Sequence, residues 1–155
     1  MFLTFKALHV LAMVTMITAF IGAEIFYAAA IWRRDVHALA WVQRTVEQFG
    51  VGIVALVGLL AGVIFGLLAA ATGGIDFGEG WLIAAYVLVA AFLVNAVVIG
   101  AKVVRVAKDA VEADEGRRPV EEVARAMTAN RGVILVVINI IIFAAIIVDM
   151  ILKPF

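Results

Sequence analysis

The stretch "FKALHVLAMVTMITAFIGAEIFY", residues 5–27, is almost wholly apolar yet carries a lysine, a histidine and a glutamate. A helix crosses a bilayer core with roughly 20 apolar residues, so this run is long enough to span. The rest of the chain agrees. Of its 155 residues 66% are hydrophobic, against roughly 45–50% in soluble domains, and the mean hydropathy is +1.18. Apolar runs at about 2–31, 50–72, 81–104 and 132–152 predict four transmembrane helices. The fold class is therefore all-α, a polytopic four-helix bundle in one domain covering residues 1–155, with a helical loop at about 105–131. The first run exceeds the roughly 7–15 residues of a signal-peptide core, so it reads as an uncleaved anchor. With no cysteine in the chain, disulfides, thiolate metal sites and cysteine nucleophiles are excluded.

Lys and Arg positions set the expected orientation. Arg33, Arg34 and Arg44 lie in the first loop, and Lys102, Arg105, Lys108, Arg117, Arg118, Arg125 and Arg131 in the third. The second loop, "TGGIDFGEGW", has two acids and no base. The positive-inside rule then makes loops 1 and 3 cytoplasmic, giving a multi-pass N-out/C-out protein of a bacterial inner membrane. Lys6 and Lys153, on the other side, reach the outer interface by snorkelling.

The loops carry helical signals of their own. "RDVHALAWVQRTVEQF" mixes apolar and polar residues at helical spacing and reads as an interfacial helix or a cytoplasmic extension. "KVVRVAKDAVEADE" continues the third span into water. Gly116 breaks it, and Pro119 with Glu121 and Glu122 marks a new helix start, with Val120, Val123 and Met127 on one face. Basic residues alternate with acids here, which points to a solvated surface and away from nucleic acid as a partner.

Within the second span, "GLLAGVIFG" repeats glycine every four residues at Gly58, Gly62 and Gly66. This doubled G-x-x-x-G stripe lets a second helix approach backbone to backbone, whether from the same chain or another protomer. The first span divides similarly. Ala12, Thr15, Ala19 and Gly22 share one side, expected to face a neighbouring helix. His9, Met13, Met16, Phe20 and Tyr27, with Glu24 beside them, share the other, which faces a second helix or lipid.

Depth sorts the intramembrane polar residues into two layers. Lys6, His9, Asp149 and Lys153 lie near the outer leaflet; Glu24, Asn95 and Asn139 lie in the inner half. His9 and Glu24 are about 22 Å apart along the helix axis, so they belong to different sites. In the outer layer Asp149 either pairs with Lys6 or His9, or His9 is an axial ligand with Met13 or Met16 beside it, a donor set suited to haem iron or copper. In the inner layer Glu24 either shares a proton with Asn95, Asn139 or Thr18, or relays a proton or ion.

The chain resembles a bacterial family of predicted four-helix integral membrane proteins of unknown function. "KALHV" opens the first helix, "RTVEQFGVG" leads into the second, "WLIAAY" opens the third, and "MILKPF" ends the chain. That resemblance implies the fold and the membrane location. The Lys6-x-x-His9 opening is also similar to HemJ-type protoporphyrinogen oxidases and copper-resistance D membrane proteins, which implies haem b or copper at His9. The one other histidine, His37, is in the first loop.

No nucleotide loop, H-E-x-x-H motif or Ser-His-Asp set points to an enzyme. The leading expectation is a non-enzymatic subunit or scaffold, embedded in the lipid bilayer and docked as a homo-oligomer or in a larger membrane complex. A haem or copper protein built on His9, and proton or ion translocation through Glu24, are the alternatives.

Overall fold

A computed structural model describes residues 1–129 and 132–152. Arg131 of the third loop, Lys153 of the outer layer and the Lys-Pro of the terminal motif lie outside the described residues. The chain forms α1 (Phe2–Arg33), α2 (Val36–Gln48), α3 (Val51–Gly73), α4 (Gly80–Ile99), a π-helical turn (Gly100–Val104), α5 (Arg105–Asp114), α6 (Val120–Ala129) and α7 (Gly132–Leu152). Among the described residues there is no strand. Four helical runs are long and apolar enough to cross a membrane: Phe2–Arg33, Val51–Gly73, Gly80–Asp114 and Gly132–Leu152. Each presents large apolar side chains outward, such as Leu11, Val57, Val94 and Ile141. A surface of that kind calls for hydrocarbon.

The four spans alternate in direction. One end of the bundle, here the terminal end, holds the start of α1, the α3–α4 turn and the end of α7. The other end is capped by α2, α5 and α6. α1 lies at the centre of the packing, running along α3 on one side and meeting α7 on another, while α4 packs along α7.

Local chemistry explains the breaks. Arg34 takes the left-handed conformation, φ 55°, and its N–H reaches the Ala30 and Ile31 carbonyls, which closes α1. Asp35 then caps α2, its carboxylate accepting the Ala38 N–H at 2.9 Å. Replacing such a cap by alanine typically costs about 1 kcal/mol. Asp35→Ala should therefore lower the thermal midpoint of the protein in detergent, and an unchanged midpoint would deny the cap a role.

The π turn has a packing reason. Ile99, Val103 and Ala107 are all buried at successive i, i+4 steps, and an α-helix of 3.6 residues per turn would rotate such a row off the interface. One wider turn holds the row against the cap.

The cap has a buried core of its own. Leu39 and Ala40 of α2 are fully buried, as are Ala107 and Ala110 of α5. The alanines keep the two helices close. At the rim Asp114 accepts from His37 Nδ1 at 2.5 Å and from Arg44 Nη1 at 2.6 Å. These hydrogen bonds, His37 first, hold the Asp114 carboxyl below its ordinary range. The junction is therefore complete at neutral pH and lost only as pH falls through that lowered value. Arg118 joins the two arms of the third loop, with Asp109 at 3.1 Å and Glu122 at 3.8 Å. On α6 Val123 and Met127 are buried as the sequence indicates, while Val120 remains exposed.

Candidate functional site

The three inner-layer residues meet. Glu24 on α1 and Asn139 on α7 are buried, and Asn139 is fully enclosed. Asn139 Nδ2 donates to Glu24 Oε1 at 2.8 Å. Asn95 Nδ2 on α4 donates to Asn139 Oδ1 at 2.8 Å and to the Leu135 carbonyl at 2.9 Å. Thr18 is exposed and stands apart from this network.

The polarity of the network is fixed by its far end. A backbone carbonyl can only accept, so Asn95 must present its NH2 to Leu135. That NH2 also reaches Asn139, which must then offer its oxygen. The Asn139 amide is left facing Glu24, and Glu24 Oε1 accepts whether the carboxyl is charged or neutral. The second oxygen, Oε2, is buried and has no hydrogen-bond partner among the described residues.

An aromatic layer adjoins this site on the side of the terminal end. Phe20, Phe92 and Phe143 sit one helical turn beyond Glu24, Asn95 and Asn139, on the same three helices. Phe20 and Phe92 have ring centroids 5.3 Å apart, and Phe92 and Phe143 are 6.2 Å apart at 64°. Met16 is buried against the layer.

On the cap side the chemistry is polar again. Tyr27, one turn from Glu24, donates its hydroxyl to Gln43 Oε1 at 2.7 Å. Gln43 Nε2 donates to Glu47 Oε1 at 2.6 Å. Tyr27 and Gln43 are buried, whereas Glu47 is exposed. Neither Gln43 nor the phenylalanine layer was singled out from sequence. One signal was available: Gln43 falls on the same helical face as buried Val36, Leu39 and Ala40, a polar residue in an apolar stripe.

The outer-layer residues are dispersed. His9 Nδ1 lies 2.7 Å from the Gly62 carbonyl, an acceptor, so Nδ1 is the donor in this hydrogen bond. Lys6 is exposed, its ammonium 6.0 Å from the Phe2 ring centroid. Asp149 is buried, with Oδ2 lacking a partner among the described residues. Among those residues no ion pair joins Asp149 to Lys6 or His9, so the expected outer pairing is not formed. His9 turns to α3, whereas Asp149 lies on the buried face of α7.

The glycine stripe receives its partner from within the chain. A Cβ on Gly58 would lie 3.0 Å from Met16 Cβ, one on Gly62 2.5 Å from Met13 Sδ, and one on Gly66 2.9 Å from His9 Nδ1. The bulky side of α1 fills the glycine grooves of α3, while Thr15 is exposed and Gly22 faces open space. Ala12 of the small side also reaches α3, its carbonyl 3.1 Å from where a Gly58 Cβ would lie, so α1 meets α3 with both its small and its bulky residues, the bulky ones acting as knobs in the glycine holes. Met13 and Met16 both lie against the glycine stripe of α3. Among the described residues no group of three or more His, Asp or Glu side chains is placed to hold a metal ion.

Residues 3–154 match the family described as "Predicted integral membrane protein (DUF2269)". No curated protein and no solved structure matches the chain. With nearly its whole length matched and four membrane-spanning helices in its fold, the chain belongs to this family of integral membrane proteins, DUF2269.

Proposed function

We propose that this membrane protein takes up and releases a proton at Glu24, and that it sits with the basic cap in the cytoplasm and both termini outside. The carrying observation is the asymmetry of the Glu24 carboxyl. Oε1 is held by Asn139, and Oε2 is buried without a partner among the described residues. Gaining or losing a proton at Oε2 leaves every hydrogen bond of the Asn139–Asn95–Leu135 chain in place. The site can therefore titrate without being rebuilt. Helix packing alone needs no carboxyl, since a neutral amide joins helices at lower cost in hydrocarbon, where ionisable groups mark function by default. The orientation rests on the Lys and Arg bias of the cap.

The scaffold reading draws no support from the two surfaces on which it was founded. The glycine stripe is filled by α1, and the α6 face is packed into the cap.

The test is infrared spectroscopy of the protein in lipid. Wild type should show a carbonyl band of a protonated carboxylic acid that bleaches as pH rises, and Glu24→Gln should lose that component while any band of the buried Asp149 carboxyl stays. Identical spectra of the two proteins at every pH would sink the proposal.

A second reading follows from His9. Metal-ligating histidines commonly donate one ring N–H to a carbonyl and ligate through the other nitrogen, and the Gly62 hydrogen bond sets His9 that way. Haem b or copper at Nε2 would take its further ligands from outside this chain's described residues. Protein purified in mild detergent with neither a Soret band nor bound copper would remove this reading.

A further inference from the structure

The surroundings of Glu24 differ sharply between its two sides, and that difference bears on where its proton goes. On the cap side a hydrogen-bonded line runs from exposed Glu47 through Gln43 to the Tyr27 hydroxyl. Gln43 is only 2% exposed and Tyr27 6%, and both sit in a wall otherwise made of Ala30, Ile31, Leu39 and Val103. Leucine and phenylalanine would pack such a wall without any polar group to satisfy. Tyr27 is one turn from Glu24 on the same side of α1, which brings the inner end of this line to the turn next to the carboxyl.

On the terminal side the next layer is Phe20, Phe92 and Phe143 in mutual contact, with Met16 against them. Beyond it on the buried face of α7 come Ile146 and then Asp149. Asp149 is six residues past Phe143, about 9 Å along the axis. No polar side chain on that face bridges the interval.

We infer that Glu24 exchanges its proton with the cap side alone. Water reaches it along the polar seam of Glu47, Gln43 and Tyr27, and the three-phenylalanine layer seals it from the terminal side. In uptake a hydronium ion in the seam gives its proton to Glu24 Oε2 and becomes water; in release a water molecule takes it back. Gln43 is a positioning residue that keeps the seam polar by linking Tyr27 to Glu47 through its two amide atoms. This inference rests on Glu24 being the proton site.

The experiment follows the Glu24 carbonyl band after a switch from H2O to D2O, in lipid, with full-length protein. Gln43→Leu should keep the band's amplitude but slow its isotope shift by about tenfold or more, since an apolar plug must open before water passes. Phe143→Ala in proteoliposomes should create a proton leak that wild type lacks and that Glu24→Gln abolishes in the double variant. A Gln43→Leu protein exchanging at the wild-type rate would overturn the access route, leaving Gln43 as a packing residue. Wild type leaking as fast as Phe143→Ala would overturn the seal. If wild type and Glu24→Gln give the same spectrum, the failure belongs to the proton site itself. Circular dichroism checks folding, and Tyr27→Phe replaces Gln43→Leu in the same measurement if the latter unfolds.

Discussion

Gly58→Leu is expected to separate α1 from α3 and to destabilise the protein by about 3 kcal/mol or more, the upper end of the range for overpacking. The reason lies in what the new side chain meets. A Cβ at position 58 stands 3.0 Å from the Met16 Cβ and backbone nitrogen and 3.1 Å from the Ala12 carbonyl oxygen. Two of those three atoms are backbone and cannot swing aside. The remaining leucine carbons would have to displace α1 as a whole. Gly62→Ala is the contrasting variant. Its Cβ meets the Met13 sulfur at 2.5 Å, the far end of a flexible thioether that can choose another rotamer. The expected order is a large loss for Gly58→Leu and a small one for Gly62→Ala, read as unfolding midpoints in mixed micelles with rising sodium dodecyl sulfate. Equal losses would mean that α1 and α3 do not meet along this face.

Asn139→Leu should be the most damaging single change at the polar site. Interhelical hydrogen bonds in membranes average only about 0.6 kcal/mol by double-mutant cycles, so loss of one bond is minor. Asn139, however, stands between two partners and serves both. Leucine there leaves Glu24 Oε1 without its donor and one Asn95 N–H without its acceptor. A buried polar group stripped of its partner costs about 1–3 kcal/mol. The expected loss is about 2 kcal/mol or more, exceeding that of Asn95→Leu, which leaves the Asn139–Glu24 bond in place. The pair of variants Asn139→Leu and Glu24→Leu/Asn139→Leu checks the cause. The double variant should recover part of the loss because the stranded carboxyl is gone. No recovery would assign the loss to leucine's shape rather than to the orphaned acceptor.

Much of this architecture was legible in the residues. A membrane span is a local property, and the chain has four helical runs long and apolar enough to cross a membrane, the third of them continuing to Asp114. Depth was legible too, because a helix rises about 1.5 Å per residue and so converts position into height. That is why Glu24, Asn95 and Asn139 could be placed in one layer before their hydrogen bonds were known. The same reasoning placed His9 and Asp149 at similar depth, yet His9 turns to the Gly62 carbonyl on α3 while Asp149 lies on the buried face of α7. Position along a helix says nothing of direction around it.

The family match and the composition carry the membrane location; the arrangement of charged loops carries the expected orientation. Neither could say which side of α1 packs inward. In water, an amphipathic helix announces its buried face by the contrast between apolar and polar residues. In lipid that contrast vanishes, since the solvent is as apolar as the core. Leu11 facing outward and Met16 facing inward are both simply hydrophobic.

By itself, then, the sequence determined the number of apolar helices long enough to span a membrane, because that follows from the chain's own hydropathy. Only the tertiary structure decided that the glycines of α3 receive His9, Met13 and Met16, that Glu24 faces Asn139, and that α2 folds back to set Gln43 against Tyr27. Those are choices of direction around a helix axis. In hydrocarbon they are made by the fit of knobs to holes and of donors to acceptors between helices, which no single helix can specify alone.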